Sequence, residues 1–127
     1  MLSVPAAIGV CAMLAALTIF QAALIAGAPI GHFAFGGQHR ILPRNLRIGS
    51  AVAIGLYALF AAILLQRAGL VTLLPAPVAD IGIWVVFGYS VLGIGMNAIS
   101  RSRPERLTMV PVCIVLALLQ LTVAMGW

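Results

Sequence analysis

The side chains that could bind a ligand or take part in a reaction are concentrated in one stretch, residues 27–49, which reads GAPIGHFAFGGQHRILPRNLRIG. This stretch holds both histidines, His32 and His39, and three of the seven arginines. Two imidazoles are able to ligate a haem iron or a metal ion, and guanidinium groups bind phosphate or carboxylate through paired N–H donors. The stretch is therefore the first candidate for a metal, cofactor or anion site.

The histidines lack the additional ligands that a metal or haem site needs. They lie seven residues apart in one segment, whereas a two-histidine haem usually draws its ligands from two helices. Pro29, Gly31 and Gly36 argue against a regular helix between them. No Cys, Asp or Glu is close enough in sequence to complete a zinc or di-iron set. We therefore predict no metal and no cofactor, and favour hydrogen-bonding roles for His32 and His39 over ligation.

The arginines of this stretch are joined by three more before the last apolar run, and two interpretations of them stay open. They set the orientation of the chain in a membrane and touch any head group, or they form a specific contact with an anionic lipid or a partner protein. The start of a helix carries a positive dipole end, so arginines there favour a nearby anion. The candidate contact residues are His32, Gln38, His39, Arg40, Arg44, Arg47, Arg101, Arg103 and Arg106.

Catalysis and transport have weaker support. No serine, cysteine or threonine has a base beside it in sequence, and the two acids, Asp80 and Glu105, are far apart, so we do not predict an enzyme. An enzyme acting on a lipid head group remains the third possibility. The polar positions inside the apolar runs favour hydrogen bonds between helices over a transport path. They are Gln21, Tyr57, Ser90, Asn97 and Gln120.

The elements that must position these residues are membrane helices. The chain of 127 residues is 64% hydrophobic and 7% charged, too little polar material to coat a water-soluble globule. The net charge of +5 comes from arginines at the ends of apolar runs, where they meet lipid phosphates, so nucleic-acid binding is not predicted.

The apolar runs predict a single all-α domain, residues 1–127, built as an integral membrane bundle of four transmembrane helices. Their predicted bounds are about 4–27, 48–66, 81–99 and 103–126. Residues 26–28, Ala-Gly-Ala, resemble a signal-peptidase site, but the run before them is long and lacks a basic start, so we interpret it as a retained helix. Asp80 is predicted to cap the third helix, and Ser102 with Glu105 matches a capping box for the fourth.

Charge asymmetry predicts the orientation. The first and third connections hold six of the seven arginines, and the second holds only Arg67. By the positive-inside rule, those two connections face the cytoplasm and both termini face the periplasm. The absence of lysine with abundant alanine indicates a bacterial source, so we expect a multi-pass protein of a bacterial inner membrane.

Two further patterns bear on packing. Cys11 and Cys113 lie in apolar runs at depths that differ by about 10 Å, so no disulfide is predicted between them. Residues 19–66 and 80–127, aligned at an offset of 61, share four identities, including Arg40 with Arg101 and Pro43 with Pro104. This count leaves a duplicated hairpin as an open alternative.

Residues 27–50, G-A-P-I-G-H-F-A-F-G-G-Q-H-R-I-L-P-R-N-L-R-I-G-S, with residues 100–107, S-R-S-R-P-E-R-L, resemble the signature of a known group. This is a group of small, uncharacterised four-span bacterial membrane proteins. The resemblance covers about a quarter of the chain by motif and all of it by layout. It implies the four-span fold and the membrane location, and it transfers no activity and no functional residue.

The function favoured by the sequence is a non-enzymatic interaction or accessory subunit, packed in a homo-oligomer or a larger membrane complex. The alternative is a small carrier or a lipid- or anion-binding protein that uses residues 27–50, with anionic head groups on the cytoplasmic side as its contacts. A cavity that reaches mid-membrane and is lined by His32, Gln38, Asn97 and Tyr57 would favour this alternative.

Overall fold

The computed structural model describes residues 1–127 as four long helices and their connections. The helices are α1 (Ser3–Ile25), α2 (Arg44–Arg67), α3 (Ala76–Ala98) and α4 (Arg103–Met125). Between α1 and α2, residues 26–43 contain only two single 3₁₀ turns, Gly31–Phe33 and Phe35–Gly37. The all-α class and the irregular backbone of this segment are confirmed.

Each of the four helices is long and apolar enough to cross a membrane. They have 23 or 24 residues and contain windows with mean hydropathy between 1.7 and 2.3. A helix of that length spans about 34 Å, which matches a hydrocarbon core of about 30 Å. Only 23 of the 127 residues are buried, so most of the apolar side chains form the outer surface of the bundle.

The helix starts differ from the predicted bounds where proline precedes a helix. α2 begins at Arg44 rather than near residue 48, because the carbonyl of Pro43 accepts bonds from the N–H groups of Leu46 and Arg47. Arg44 and Arg47, which were predicted in the connection, are thus part of the first turn of α2, whereas Arg40 remains outside it. Proline is well suited to this position because its fixed φ fits the start of a helix.

The predicted cap of α3 is wrong. α3 begins at Ala76, and the carbonyl of Pro75 accepts the N–H groups of Val78 and Ala79. Asp80 lies one turn inside the helix with an exposed side chain and does not cap it. The two prolines that indicated a linker in the sequence initiate the helix instead.

The packed core occupies the end of the bundle that holds the termini and the α2–α3 link, here called the terminal end. Twelve buried residues from all four helices form it: Ala6, Ala7, Val10, Leu14, Phe60, Ile63, Leu64, Ile83, Val86, Leu116, Val123 and Ala124. α2 and α3 meet there, with Phe60 packed edge-to-face on Tyr89 at 5.3 Å between ring centroids. The other end, with residues 26–43 and 99–102, is called the arginine-rich end.

Hydrogen bonds among the chain termini, the helix ends and the α2–α3 link close the terminal end. The hydroxyl of Ser3 donates to the carbonyl of Trp127 at 2.9 Å, and Arg67 donates to the carbonyl of Ala124 at 3.1 Å. The side-chain oxygen of Gln66 accepts the backbone N–H groups of the α2–α3 link. At the arginine-rich end the buried hydrophobic residues form only a small cluster, Leu24, Ala34 and Leu42, which leaves room for a cavity between the helices.

Candidate functional site

Glu105 fastens the 26–43 segment to the start of α4. Its Oε2 atom accepts the backbone N–H of Gly36 at 2.8 Å and the hydroxyl of Ser100 at 3.1 Å. The Ser102 hydroxyl donates to the carbonyl of His32. Glu105 is only 8% exposed, so these bonds compensate part of the cost of burying its carboxylate. The segment is therefore held across the arginine-rich end of the bundle.

Two glycines make this close approach possible. A methyl group on Gly31 would overlap the carbonyl oxygens of His39 and Arg40, and the Gly31 N–H donates to the Arg40 carbonyl at 2.7 Å. Gly37 has φ +72, and a Cβ there would overlap the side chain of Ser102. The glycines noted in the sequence thus bring backbone against backbone and against α4.

The predicted capping box is half correct. The hydroxyl of Ser102 accepts the N–H of Glu105 at 3.5 Å, as the motif requires. The Glu105 carboxylate does not return to the N–H of Ser102, which donates to the hydroxyl of Ser100 instead. That carboxylate has turned to Gly36, a tertiary partner 69 residues away in sequence, which outcompetes the local bond.

The predicted arginines divide into two classes. Arg47 donates from Nε to the carbonyl of Leu42 at 2.8 Å, and Arg106 donates to the carbonyl of Ser100 at 3.0 Å, so both hold connections. The other four are exposed at the arginine-rich end: Arg40, Arg44, Arg101 and Arg103. The first pair has a structural role, and the side chains of the other four are exposed to the surroundings of the bundle.

The histidines have different surroundings. The ring of His32 is half-buried and stacks obliquely on Phe33 at 4.4 Å, while its backbone carbonyl makes the bond to α4. His39 and Gln38 are exposed. No group of three His, Cys, Asp or Glu side chains is placed to hold a metal ion.

A cavity of about 450 Å³ lies between the helices, from the 26–43 segment toward the terminal end. Phe33, Ala34 and Phe35 of that segment form part of its wall. α4 lines it along one face from Glu105 to Gln120, at the spacing of three and four residues that keeps side chains in a row. Fifteen of its 21 lining residues are hydrophobic, and its volume is in the range of small-molecule sites.

All five polar positions noted inside the apolar runs line this cavity: Gln21, Tyr57, Ser90, Asn97 and Gln120. Hydrogen bonds between helices use only some of the polar groups of these five side chains. The amide nitrogen of Gln21 donates to the Tyr57 hydroxyl at 3.4 Å, and that of Asn97 approaches the sulfur of Cys113, a free thiol, at 3.6 Å. Tyr57 and Asn97 were predicted for a carrier cavity, whereas His32 and Gln38 do not line it.

Two lining residues present buried oxygen atoms with no hydrogen-bond partner. They are Oε1 of Gln21 and Oε1 of Gln120, in side chains only 9% and 1% exposed. A buried amide oxygen without a donor costs about 1–3 kcal/mol. The other two such atoms, Ser50 Oγ and Arg67 Nε, lie outside the cavity wall. Both glutamine oxygens are enclosed by protein atoms, so they are not presented to the space inside the cavity.

The cavity opens on the outer surface of the bundle. Four of its lining residues are exposed aromatic or large aliphatic side chains: Phe35, Tyr89, Leu92 and Met96. Phe35 also has φ +49, a left-handed conformation that bulky residues rarely adopt, and its ring lies against Gly49 of α2. Backbone strain of this kind is frequent at ligand-binding sites, and here it marks the opening.

Comparison with protein-family models, with curated proteins and with solved structures found no match for this chain. The site is therefore defined by its own geometry. Sequence reasoning missed Glu105 as a member of it, since its place in an S-x-x-E motif indicated a local cap. The available signal was that Glu105 is the only acidic residue at an end with six arginines.

Proposed function

We propose that this protein is a multi-pass protein of a bacterial inner membrane with its arginine-rich end in the cytoplasm. Four helices of suitable length and hydropathy support insertion. Six of the seven arginines at one end support the orientation, with both termini in the periplasm. The resemblance to small four-span bacterial membrane proteins agrees with this location.

Within that membrane, the protein is a non-enzymatic binding protein for a small, lipid-like molecule. One observation carries this proposal: a cavity of about 450 Å³ combines a mostly apolar wall with the five polar side chains that lie inside the apolar helices. A mostly apolar molecule with one or two polar groups matches that wall. The ligand-binding role, second in the sequence interpretation, thus becomes the first candidate.

The surface around the cavity supports a lipid-like ligand. Its exposed lining residues, Phe35, Tyr89, Leu92 and Met96, lie on the outer face of the bundle, which lipid covers in a membrane. A ligand dissolved in the bilayer then reaches the cavity without crossing water. Anionic head groups outside the cavity are contacted by the exposed arginines of the arginine-rich end.

The test is to fill the cavity by a substitution and to identify the compounds that copurify with the protein. Ser90 is 6% exposed and lines the cavity, so Ser90→Leu places a larger side chain inside it. Val91→Leu, the next residue, changes the exposed surface of α3 and serves as the matched control. We expect mass spectrometry of extracts to find a hydrophobic compound with the wild type and Val91→Leu, and much less with Ser90→Leu. An equal amount with Ser90→Leu, or none with the wild type, contradicts the proposal.

A second candidate, the interaction or accessory subunit, is favoured by the outer face of α3. Gly88 and Gly95 are exposed, two turns apart, and a Cβ on either would meet no atom within 4 Å. Small residues on a membrane-facing helix surface let a neighbouring helix approach closely. A homo-oligomer or a larger membrane complex would use this face.

A further inference from the structure

We propose that the ligand of the cavity is an amphiphilic amine, whose ammonium group binds the Glu105 carboxylate and whose apolar part lies against the cavity wall. This inference rests on the proposed ligand-binding function and specifies the chemistry of its ligand. It follows from the surroundings of the carboxylate, from the aromatic residues of the wall and from the position of Glu105 at one end of the bundle.

The Glu105 carboxylate is buried without a positive partner. Its side chain is 8% exposed, and both groups that donate to it, the Gly36 N–H and the Ser100 hydroxyl, are neutral and bind the same oxygen, Oε2. The other oxygen, Oε1, accepts no hydrogen bond from the protein and is not enclosed by protein atoms. A buried charge is stabilised most by a hydrogen-bonding group of opposite charge, so Oε1 is the atom at which an ammonium group binds.

Glu105 is the only charged side chain on the cavity wall. None of the seven arginines lines the cavity or donates to this carboxylate. Arg106 donates to the Ser100 carbonyl instead, and Arg101 and Arg103 are exposed. Water and salt screen exposed charges over about 10 Å, whereas a buried charge is screened much less. The carboxylate therefore dominates the field at the wall, and an anionic ligand there would be buried beside a like charge.

The cavity wall also carries most of the phenylalanine and tyrosine rings of the chain. Four of the five phenylalanines and both tyrosines line it: Phe20, Phe33, Phe35, Phe60, Tyr57 and Tyr89. The face of an aromatic ring attracts a cation within about 6 Å, and more strongly where water is excluded. Phe35 directly precedes Gly36, whose N–H binds the carboxylate, so at least one ring belongs to the backbone turn that contacts Glu105. Carboxylate and rings together favour a cation.

The position of Glu105 fits a molecule that is charged at one end only. Glu105 is the third residue of α4, at the arginine-rich end, and the wall continues along α4 through Met109, Val112 and Leu116. In a bilayer, a group with a charged head and an apolar stem keeps the head at the interface and the stem in the hydrocarbon. An amphiphilic amine thus meets the carboxylate and the apolar wall in the orientation that it already has in the membrane.

Three probes with the same alkyl chain separate the head groups: decylamine, decanol and decanoate. The full-length protein in phosphatidylcholine nanodiscs is loaded with each probe at neutral pH. Native mass spectrometry measures the bound fraction, with empty nanodiscs as the blank. We expect decylamine, which is protonated at this pH, to bind at least about tenfold more tightly than decanol, because it adds a charge-assisted hydrogen bond. Binding of decanol or decanoate as tight as that of decylamine overturns the assignment of a cationic head group.

Two substitutions that each remove one negative charge locate the ammonium group. Glu105→Gln keeps the size of the side chain and an acceptor oxygen, and it should lower the ratio of decylamine to decanol binding to about one, because the charged acceptor is lost. Asp80→Asn removes the only other acidic side chain, at an exposed site outside the cavity, and should keep the wild-type ratio. If Glu105 only fastens the 26–43 segment, its loss weakens all probes alike, so an unchanged ratio in Glu105→Gln overturns the contact.

This inference and the proposed function fail in different ways. If the three probes bind alike to the wild type and Ser90→Leu abolishes their binding, the proposed function stands and the cationic head group is rejected. If no probe binds to the wild type above the blank, both are rejected.

Discussion

Glu105 is the residue that joins the two connections at the arginine-rich end. Its carboxylate accepts the N–H of Gly36, in the 26–43 segment, and the hydroxyl of Ser100, in the α3–α4 link. The same side chain is 8% exposed and lines the cavity. One side chain thus determines both how the segment is fastened and how one end of the cavity is closed.

Replacing Glu105 should loosen the segment without unfolding the helices. Glu105→Ala leaves the Gly36 N–H and the Ser100 hydroxyl without an acceptor, a cost of about 1–3 kcal/mol for each group that stays buried. Hydrogen exchange should accelerate at residues 31–37 and remain slow in the core helices. Glu105→Gln keeps one acceptor oxygen and should show a smaller effect, and Asp80→Ala, at an exposed site, should show none. Unchanged exchange at Gly36 in Glu105→Ala would contradict this role.

Several residues have tertiary partners that the sequence alone does not predict. The polar character of Gln21, Tyr57 and Gln120 inside apolar runs was evident from the sequence, but their convergence on one cavity depends on how four helices pack. Glu105 was misread because S-x-x-E at a helix start has a sufficient local explanation. The partner that replaces that bond, Gly36, is brought near only by the folded 26–43 segment.

At the level of elements, the helices were predictable and their starts were not. About 20 consecutive apolar residues identify a span regardless of its neighbours. The start of a helix depends on a few backbone bonds, and Pro43 and Pro75 each accept bonds that extend their helices by about one turn. The glycines and Pro29 predicted irregular backbone for residues 26–43. They gave no indication of its path, which the bonds to α4 determine.

The orientation of the helices should depend on the arginines at the first turn of α2 and just before it. We expect a periplasmic reporter fused after Trp127 to be active in the wild type. Arg40→Ala, Arg44→Ala and Arg47→Ala together should reduce that activity, because half of the six arginines at this end are removed. His39→Ala, a change of one exposed side chain in the same segment that removes no arginine, should leave it unchanged. Full reporter activity in the triple variant would show that these arginines do not set the orientation.

For the whole molecule, the two candidate functions would use the same surface. On α3, Gly88 and Gly95 lie within about 120° of Tyr89, Leu92 and Met96, three of the exposed residues at the cavity opening. A second helix packed on the glycines would also cover that opening. The two candidate functions are therefore coupled: a bound partner should hinder exchange of the ligand, and an open cavity requires lipid at this face.

The coupling is tested by obstructing the glycine face. Gly88→Leu with Gly95→Leu adds bulk where a Cβ now meets no atom within 4 Å, so the isolated fold should tolerate both changes. If α3 packs against a partner, the double variant should shift from an oligomer or complex to a monomer in light scattering, because close helix approach requires small residues. Its exchange of an apolar compound bound in the cavity should become faster than in the wild type. Val78→Leu, at an exposed site ten residues before Gly88, controls for added bulk elsewhere on α3. A wild type that is monomeric in several lipid mixtures and exchanges ligand as fast as the double variant would exclude packing through this face, and would leave ligand binding as a function of the single chain.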